Sequence, residues 1–160
     1  MNRPIIIYVD DQRDVLASLS KDLTLFDTHF ETIGCESANE AYEILEEKDA
    51  EGRNVALIIC DHVMPEWNGV DFLSEINEDM RFTKIKKLLL TGLATHEDTI
   101  RAINNASIDY YIEKPWNSDD LIKTVKVLIT KYLLHSGIDY NKYIEILDQQ
   151  ILYRDLRKQT

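Results

Sequence analysis

The chain is poor in the residues that staple or punctuate a fold. Of its 160 residues only 2 are cysteine, 5 glycine and 3 proline. Two cysteines cannot build a disulfide framework or a four-ligand zinc site, and Cys60 sits inside an apolar run, as a small buried hydrophobe does. So little Gly and Pro excludes collagen-like and low-complexity chains. Long hydrophobic runs are missing too: the longest, Val55 to Cys60, falls far short of a membrane span. The N-terminal apolar run stops at Asp10 and Asp11 without a cleavage-like site, so neither secretion nor membrane insertion is expected, and the cytoplasm is the expected compartment. Basic residues are scarce. Lys and Arg number 18 against 29 Asp and Glu, a formal charge of -11, which argues against direct nucleic-acid binding. Residues 117–160 are nearly balanced, with 7 basic and 6 acidic side chains. The excess acid therefore lies in the first 116 residues, where a cation or a basic partner is expected.

What is present, 44 % apolar and 29 % charged residues, suits one folded domain of ordinary size with a core of its own. No internal repeat and no Gly/Ser/Pro-rich linker interrupts it. Residues 4–9 (PIIIYV) are a compact, β-branched run, followed by a helical pattern through Val15, Leu16, Leu19, Leu23 and Phe26. Residues 30–35 read as a second strand, and Ser37 to Glu40 as a capping box opening a helix with Ala41, Ile44 and Leu45 inward. Residues 55–60 (VALIIC) are a third strand, apolar throughout as a strand covered on both faces must be. The helix after it starts near Gly69 and carries Phe72, Leu73 and Ile76. A fourth strand spans 87–91, with Thr95 to Asp98 able to cap the next helix. A fifth spans 109–112 and leads through Lys114-Pro115 into a helix over 118–134. Residues 138–158 give one further helical pattern, with Tyr140, Ile144, Leu147 and Ile151 on a stripe.

Five βα units in succession predict a parallel sheet with helices on both faces, and the C-terminal ends of all strands on one edge. Those ends carry Asp10-Asp11, Asp61, Thr91 and Lys114. The strand order 2-1-3-4-5, a doubly wound, flavodoxin-like α/β fold, brings them together; an order separating strands 1 and 3 would scatter the acids. The first order also puts strand 1 between Cys35 and Cys60, which speaks against a disulfide.

Three carboxylates at one edge repel one another, and a divalent cation resolves this. Oxygen ligands with open positions suit Mg2+. Asp10-Asp11 has a plainer explanation as a helix N-cap, which the position of Asp61 after an apolar strand outweighs. A carboxylate beside a cation can take up a phosphoryl group as an acyl phosphate, with a lysine and a hydroxyl contacting the transferred oxygens. Asp61, Lys114 and Thr91 match those roles.

Taken in order, Asp10-Asp11, Asp61-His-Val-Met-Pro65 with Gly69, Leu90-Thr91-Gly92 and Tyr111-Ile-Glu-Lys114-Pro115 resemble the receiver domains of two-component response regulators. The resemblance covers roughly residues 3–135. It implies a phosphoacceptor at Asp61, and Mg2+ bound by Asp11 and Asp61, with Asp10 in support and the Val63 carbonyl as a further ligand. It implies Thr91 and Lys114 as phosphoryl contacts, Tyr111 as an aromatic whose pose follows phosphorylation, and a Lys-Pro peptide commonly cis. The expected donor is a histidine kinase or phosphotransfer protein. The expected output surface is the face from His96 to Leu134, binding an effector or a second protomer. On this division residues 1–136 are the receiver and 137–160 a helical extension or a linker to an effector outside this chain. Val63 and Leu93 are apolar at positions that vary in this family and bear on how long a phosphoryl group lasts.

Two rival readings stand beside this one. A haloacid-dehalogenase-like phosphatase also uses an aspartyl phosphate but wants Asp-x-Asp after strand 1, whereas Asp10-Asp11-Gln12 has adjacent acids. A phosphorylation-independent pseudo-receiver is disfavoured by the intact acids, Thr91 and Lys114. His29, His62, His96 and His135 show no metal-ligand spacing and read as solvated or partly packed. Tyr110 reads as a packing residue, and Lys84, Lys86 and Lys87 as a solvated strand entrance.

Overall fold

The structure is a computed structural model that describes residues 3–92 and 96–158. Its strands are β1 (Ile5–Val9), β2 (Glu31–Cys35), β3 (Val55–Asp61), β4 (Lys86–Thr91) and β5 (Tyr110–Glu113). Its helices are α1 (Arg13–Asp22), α2 (Ala38–Ala50), α3 (Gly69–Glu78), α4 (His96–Ala106), α5 (Ser118–His135) and α6 (Gln149–Lys158). All strand pairs are parallel and the order is β2-β1-β3-β4-β5, the expected doubly wound arrangement. Every residue of β1 and β3 is buried, because helices cover both faces of the central strands. On one face Ile6, Tyr8, Leu57 and Ile59 pack with Leu19 and Phe26 and with Val125 and Ile129 of α5. On the other, Ile5, Ile7 and Ile58 pack with Leu45 of α2 and Phe72 and Ile76 of α3. Val9 pairs with Cys35 on one side and Cys60 on the other, so a strand separates the two free, buried thiols.

Several local expectations shift. The first helical pattern splits: α1 ends at Asp22 and Leu23–Phe26 continue as a 3-10 turn, which still buries Leu23 and Phe26. Asp10 and Asp11 do not cap α1; its N-cap is Gln12, without a side-chain capping bond. The capping box at α2 is displaced by one residue. Ser37 accepts from the Glu40 amide at 3.1 Å, but the Glu40 carboxylate accepts from the Glu36 amide, at 2.9 Å. The cap expected at Thr95 and the apolar position Leu93 lie outside the described residues.

The C-terminal pattern is not one helix. Asn141–Ile146 form a 3-10 helix, and α6 restarts at Gln149. The break has a cause: the Asp148 amide donates to the buried Thr130 hydroxyl of α5 at 2.9 Å, while the Asp148 carboxylate accepts from the Ile151 amide at 2.9 Å and caps α6. The restart resets the helical phase. Tyr143, Ile146, Leu147 and Leu152 are buried against α5 and the first core face, whereas Ile144 is 40 % exposed. Lys87 also departs from the expected solvated strand entrance: it is 2 % exposed, and its Nζ donates to the Ile85 carbonyl at 3.4 Å.

Candidate functional site

Asp10 follows directly on β1, Asp61 and Thr91 are the last residues of β3 and β4, and Lys114 follows β5. The sheet order thus collects them at one edge. Local bonds fix each one. The Asp10 amide donates to the Cys35 carbonyl at 3.1 Å, and its carboxylate accepts from the Gln12 amide at 2.9 Å. The Lys114 amide donates to the Thr91 carbonyl at 2.8 Å, tying the loop after β5 to the end of β4; the Lys114-Pro115 peptide is cis. Beyond Asp61 the chain doubles back, and the Gly69 amide donates to the His62 carbonyl at 2.9 Å. A Cβ on Gly69 would lie 1.9 Å from the Asp61 carbonyl oxygen, so only glycine fits where α3 starts against the end of β3.

Carboxylate oxygens of Asp10, Asp11 and Asp61 lie within 4.8 Å of one another, with Asp10 and Asp61 buried and Asp11 exposed. Lys114 Nζ bridges the two buried acids, at 2.7 Å from Asp10 Oδ2 and 2.8 Å from Asp61 Oδ1. Burial pushes the Asp61 carboxyl above its ordinary range, and the Asp10 charge adds to this against the opposing pull of Lys114. Burial alone would lower Lys114, but its bonds to Asp10 and Asp61 overcome that and leave it raised. Three carboxylates against one ammonium remain net negative when ionised. A compact set of hard oxygen donors with one member open to solvent fits a cation of the Mg2+ type. Asp10, Asp11 and Asp61 could therefore hold one.

Thr91 is buried at the same edge. Tyr111 is not drawn into it: the residue is 39 % exposed and its ring stacks on Tyr110, centroids 6.4 Å apart. Both tyrosines therefore lie on the surface of β5, although Tyr110 was expected to pack. Val63 follows two residues after Asp61, with its side chain largely exposed. Two contacts escape sequence reasoning. His62 Nδ1 lies 3.3 Å from Thr91 Oγ1, and the only signal for it is the adjacency of His62 to Asp61. Trp116 Nε1 donates to Asp22 Oδ2 at 2.7 Å, closing one side of a cleft of about 510 Å³ lined by Val15, Ser18 and Asp22 of α1 and by Lys114 and Pro115. Among the described residues no helix is long and apolar enough to cross a membrane.

Residues 6–126 match the family model of the response regulator receiver domain. The hydrogenase transcriptional regulatory protein HoxA of Cupriavidus necator is 36 % identical over 121 residues, covering 76 % of this chain and 23 % of that protein. Response regulator Rre1 of Synechocystis is 29 % identical over 132 residues, covering 82 % and 54 %. The chain thus spans about a quarter of the one relative and about half of the other. Among solved structures, the signal receiver domain of an HD domain-containing protein from Pseudomonas fluorescens superposes with a TM-score of 0.69 at 26 % identity, covering 85 % of this chain and 98 % of that one. A CheY-like response regulator receiver domain protein from Methanospirillum hungatei gives 0.70 at 25 %, covering 84 % and 99 %. With the sheet order and the clustered acids already in place, the match over three-quarters of its length makes this chain a member of the receiver domain family of two-component response regulators.

Proposed function

We propose that the protein takes a phosphoryl group from the phosphohistidine of a kinase or phosphotransfer protein onto Asp61 and changes its surface for a partner in response. The observation that supports this most is the Lys114 ammonium set between Asp10 and Asp61 at 2.7 and 2.8 Å. It sets a cation against a buried carboxylate at the sheet edge, beside the exposed Asp11. Asp10, Asp11, Asp61 and the Val63 carbonyl would hold Mg2+, which when bound would offset the charge gathering on the transferred group.

The remaining work falls to the chain itself. An Asp61 oxygen attacks phosphorus in line while the donor's nitrogen leaves. Lys114 exchanges a carboxylate partner for a phosphoryl oxygen, which it can do because its Nζ already reaches the acid that reacts. The Thr91 hydroxyl, buried beside the site, gives a hydrogen bond to a second oxygen. The cleft between α1 and the Lys114-Pro115-Trp116 turn gives a donor a place to rest beside the acids. Thr91 and Tyr111 form the switch: as the threonine is drawn to the phosphoryl group, the Tyr111 ring leaves the surface, and the face from His96 to Leu134 presents a different outline to an effector or a second protomer. Residues 1–136 carry this activity; residues 137–160 extend it.

The test is titration with beryllofluoride and Mg2+, followed through the fluorescence of Trp116, which lies two residues from Lys114. Saturable binding that Asp61→Asn abolishes is the expected outcome. Equal binding by the parent and Asp61→Asn refutes the proposal.

A further inference from the structure

One polar side chain at the sheet edge has no part in the scheme above: His62. Its main chain is held on both sides, the amide donating to the Leu90 carbonyl at 2.9 Å and the carbonyl accepting from the Gly69 amide at 2.9 Å. Neither anchor gives easily, since Leu90 lies within β4 and Gly69 is pressed on the Asp61 carbonyl. The imidazole therefore leaves the backbone from a fixed point next to the phosphoacceptor. Its Nδ1 stands 3.3 Å from the Thr91 hydroxyl, the same hydroxyl assigned to a phosphoryl oxygen. A threonine hydroxyl has one proton to give. In the imidazole tautomer whose Nδ1 is unprotonated, His62 can accept that proton.

We propose that His62 is a positioning residue: it holds the Thr91 hydroxyl in the phosphoryl-free state and competes with the phosphoryl group for it. The inference rests on the reading of Asp61 as phosphoacceptor and adds a restraint to that site. A bond made only in the free state opposes ligand binding by as much as it stabilises that state. The net contribution of one such hydrogen bond corresponds to about a 2- to 10-fold change in affinity. In the opposite tautomer His62 donates to Thr91, leaves the hydroxyl proton available, and imposes no restraint.

The experiment compares beryllofluoride affinity, with saturating Mg2+ and at mildly alkaline pH, in the parent, His62→Leu, His62→Asn, Thr91→Val, the Thr91→Val/His62→Leu double variant and Asp61→Asn. His62→Leu should bind about 2- to 10-fold more tightly. His62→Asn, whose side-chain oxygen falls near the Nδ1 position and accepts the same proton, should return to the parent affinity. In the Thr91→Val background the His62→Leu change should have no further effect. Nitrogen NMR of the unsubstituted imidazole gives a readout that needs no change at position 62. Nδ1 should be unprotonated in the free protein, and its resonance should move when beryllofluoride is added. Parental or weaker affinity in His62→Leu, or a protonated Nδ1 in the free protein, overturns the inference. If Asp61→Asn still binds as the parent does, the phosphoacceptor reading itself fails; if it abolishes binding while His62→Leu behaves as the parent, only the restraint fails.

Discussion

Replacing Lys114 with methionine keeps the length of the side chain and removes the one ammonium that bridges the two buried acids. Asp10 is fully buried and Asp61 nearly so, so both lose their charge partner without gaining water. Breaking a buried pair in this way costs about 3–5 kcal/mol. The Lys114 side chain is 20 % exposed, so solvent screens part of the interaction and about 2–3 kcal/mol is the better expectation. For a domain of this size that lowers the melting temperature by about 5–10 °C. The pH dependence follows from Asp61, whose carboxyl is already raised by burial and rises further without Lys114. Near and below the ordinary carboxylate range Asp61 is protonated in both proteins and the deficit is small. As pH rises through the raised value the parent ionises beside its lysine while the folded variant still holds the proton, and the deficit opens. Mg2+ held by the same acids would supply charge to them, so its addition should narrow the gap at neutral pH. The assay is differential scanning calorimetry from acid to neutral pH, in chelator and in Mg2+. A variant that melts with the parent at neutral pH in chelator, or a deficit insensitive to both pH and Mg2+, would refute the electrostatic account.

Three further substitutions probe the scaffold. Gly69→Ala places a methyl 1.9 Å from the Asp61 carbonyl oxygen, so urea unfolding should show a loss of about 3 kcal/mol, with Mg2+ affinity weakened as the end of β3 shifts. Lys87→Met removes a buried ammonium whose Nζ has a 3.4 Å bond to the Ile85 carbonyl and should stabilise the fold by about 1–2 kcal/mol. Burial lowers the Lys87 pKa, Asp109 opposing. The folded parent therefore sheds this proton before the unfolded chain does, and the gap to the variant should close as pH rises towards the ordinary lysine range. Thr130→Val leaves the Asp148 amide without its 2.9 Å acceptor, an expected cost of about 1–3 kcal/mol. Amide exchange should quicken in residues 141–158 while the sheet stays protected.

The sheet was readable because its signals are local and redundant. Val55 to Cys60 is apolar throughout, which a strand covered on both faces requires, and the acids, Thr91 and Lys114 each follow such a run. Once the strand order is 2-1-3-4-5, their meeting follows from topology. The details that escaped are those in which one side chain outweighs periodicity. Asp148 resets the C-terminal helix because Thr130, eighteen residues earlier in sequence, takes its amide. The basic residues at the start of β4 gave no sign that Lys87 turns inward while Lys86 stays near His135, 3.2 Å away. Tyr111 lies on the surface because β5 is the edge strand, and its outer neighbours are solvent and Tyr110 in place of another strand. His62 carried no periodic or spacing signal; only its hydrogen bond to Thr91 in three dimensions marks it.

We propose Asp61 as the residue that receives the phosphoryl group. The most direct measurement is incubation of the protein with Mg2+ and a small-molecule phosphodonor, reduction of the acyl phosphate with borohydride, and tandem mass spectrometry of the resulting peptides. The expected outcome is an intact-mass gain of one phosphoryl group that depends on Mg2+, and conversion of Asp61, and of no other aspartate, to homoserine. Modification at another residue, or the same mass gain in Asp61→Asn, would contradict it.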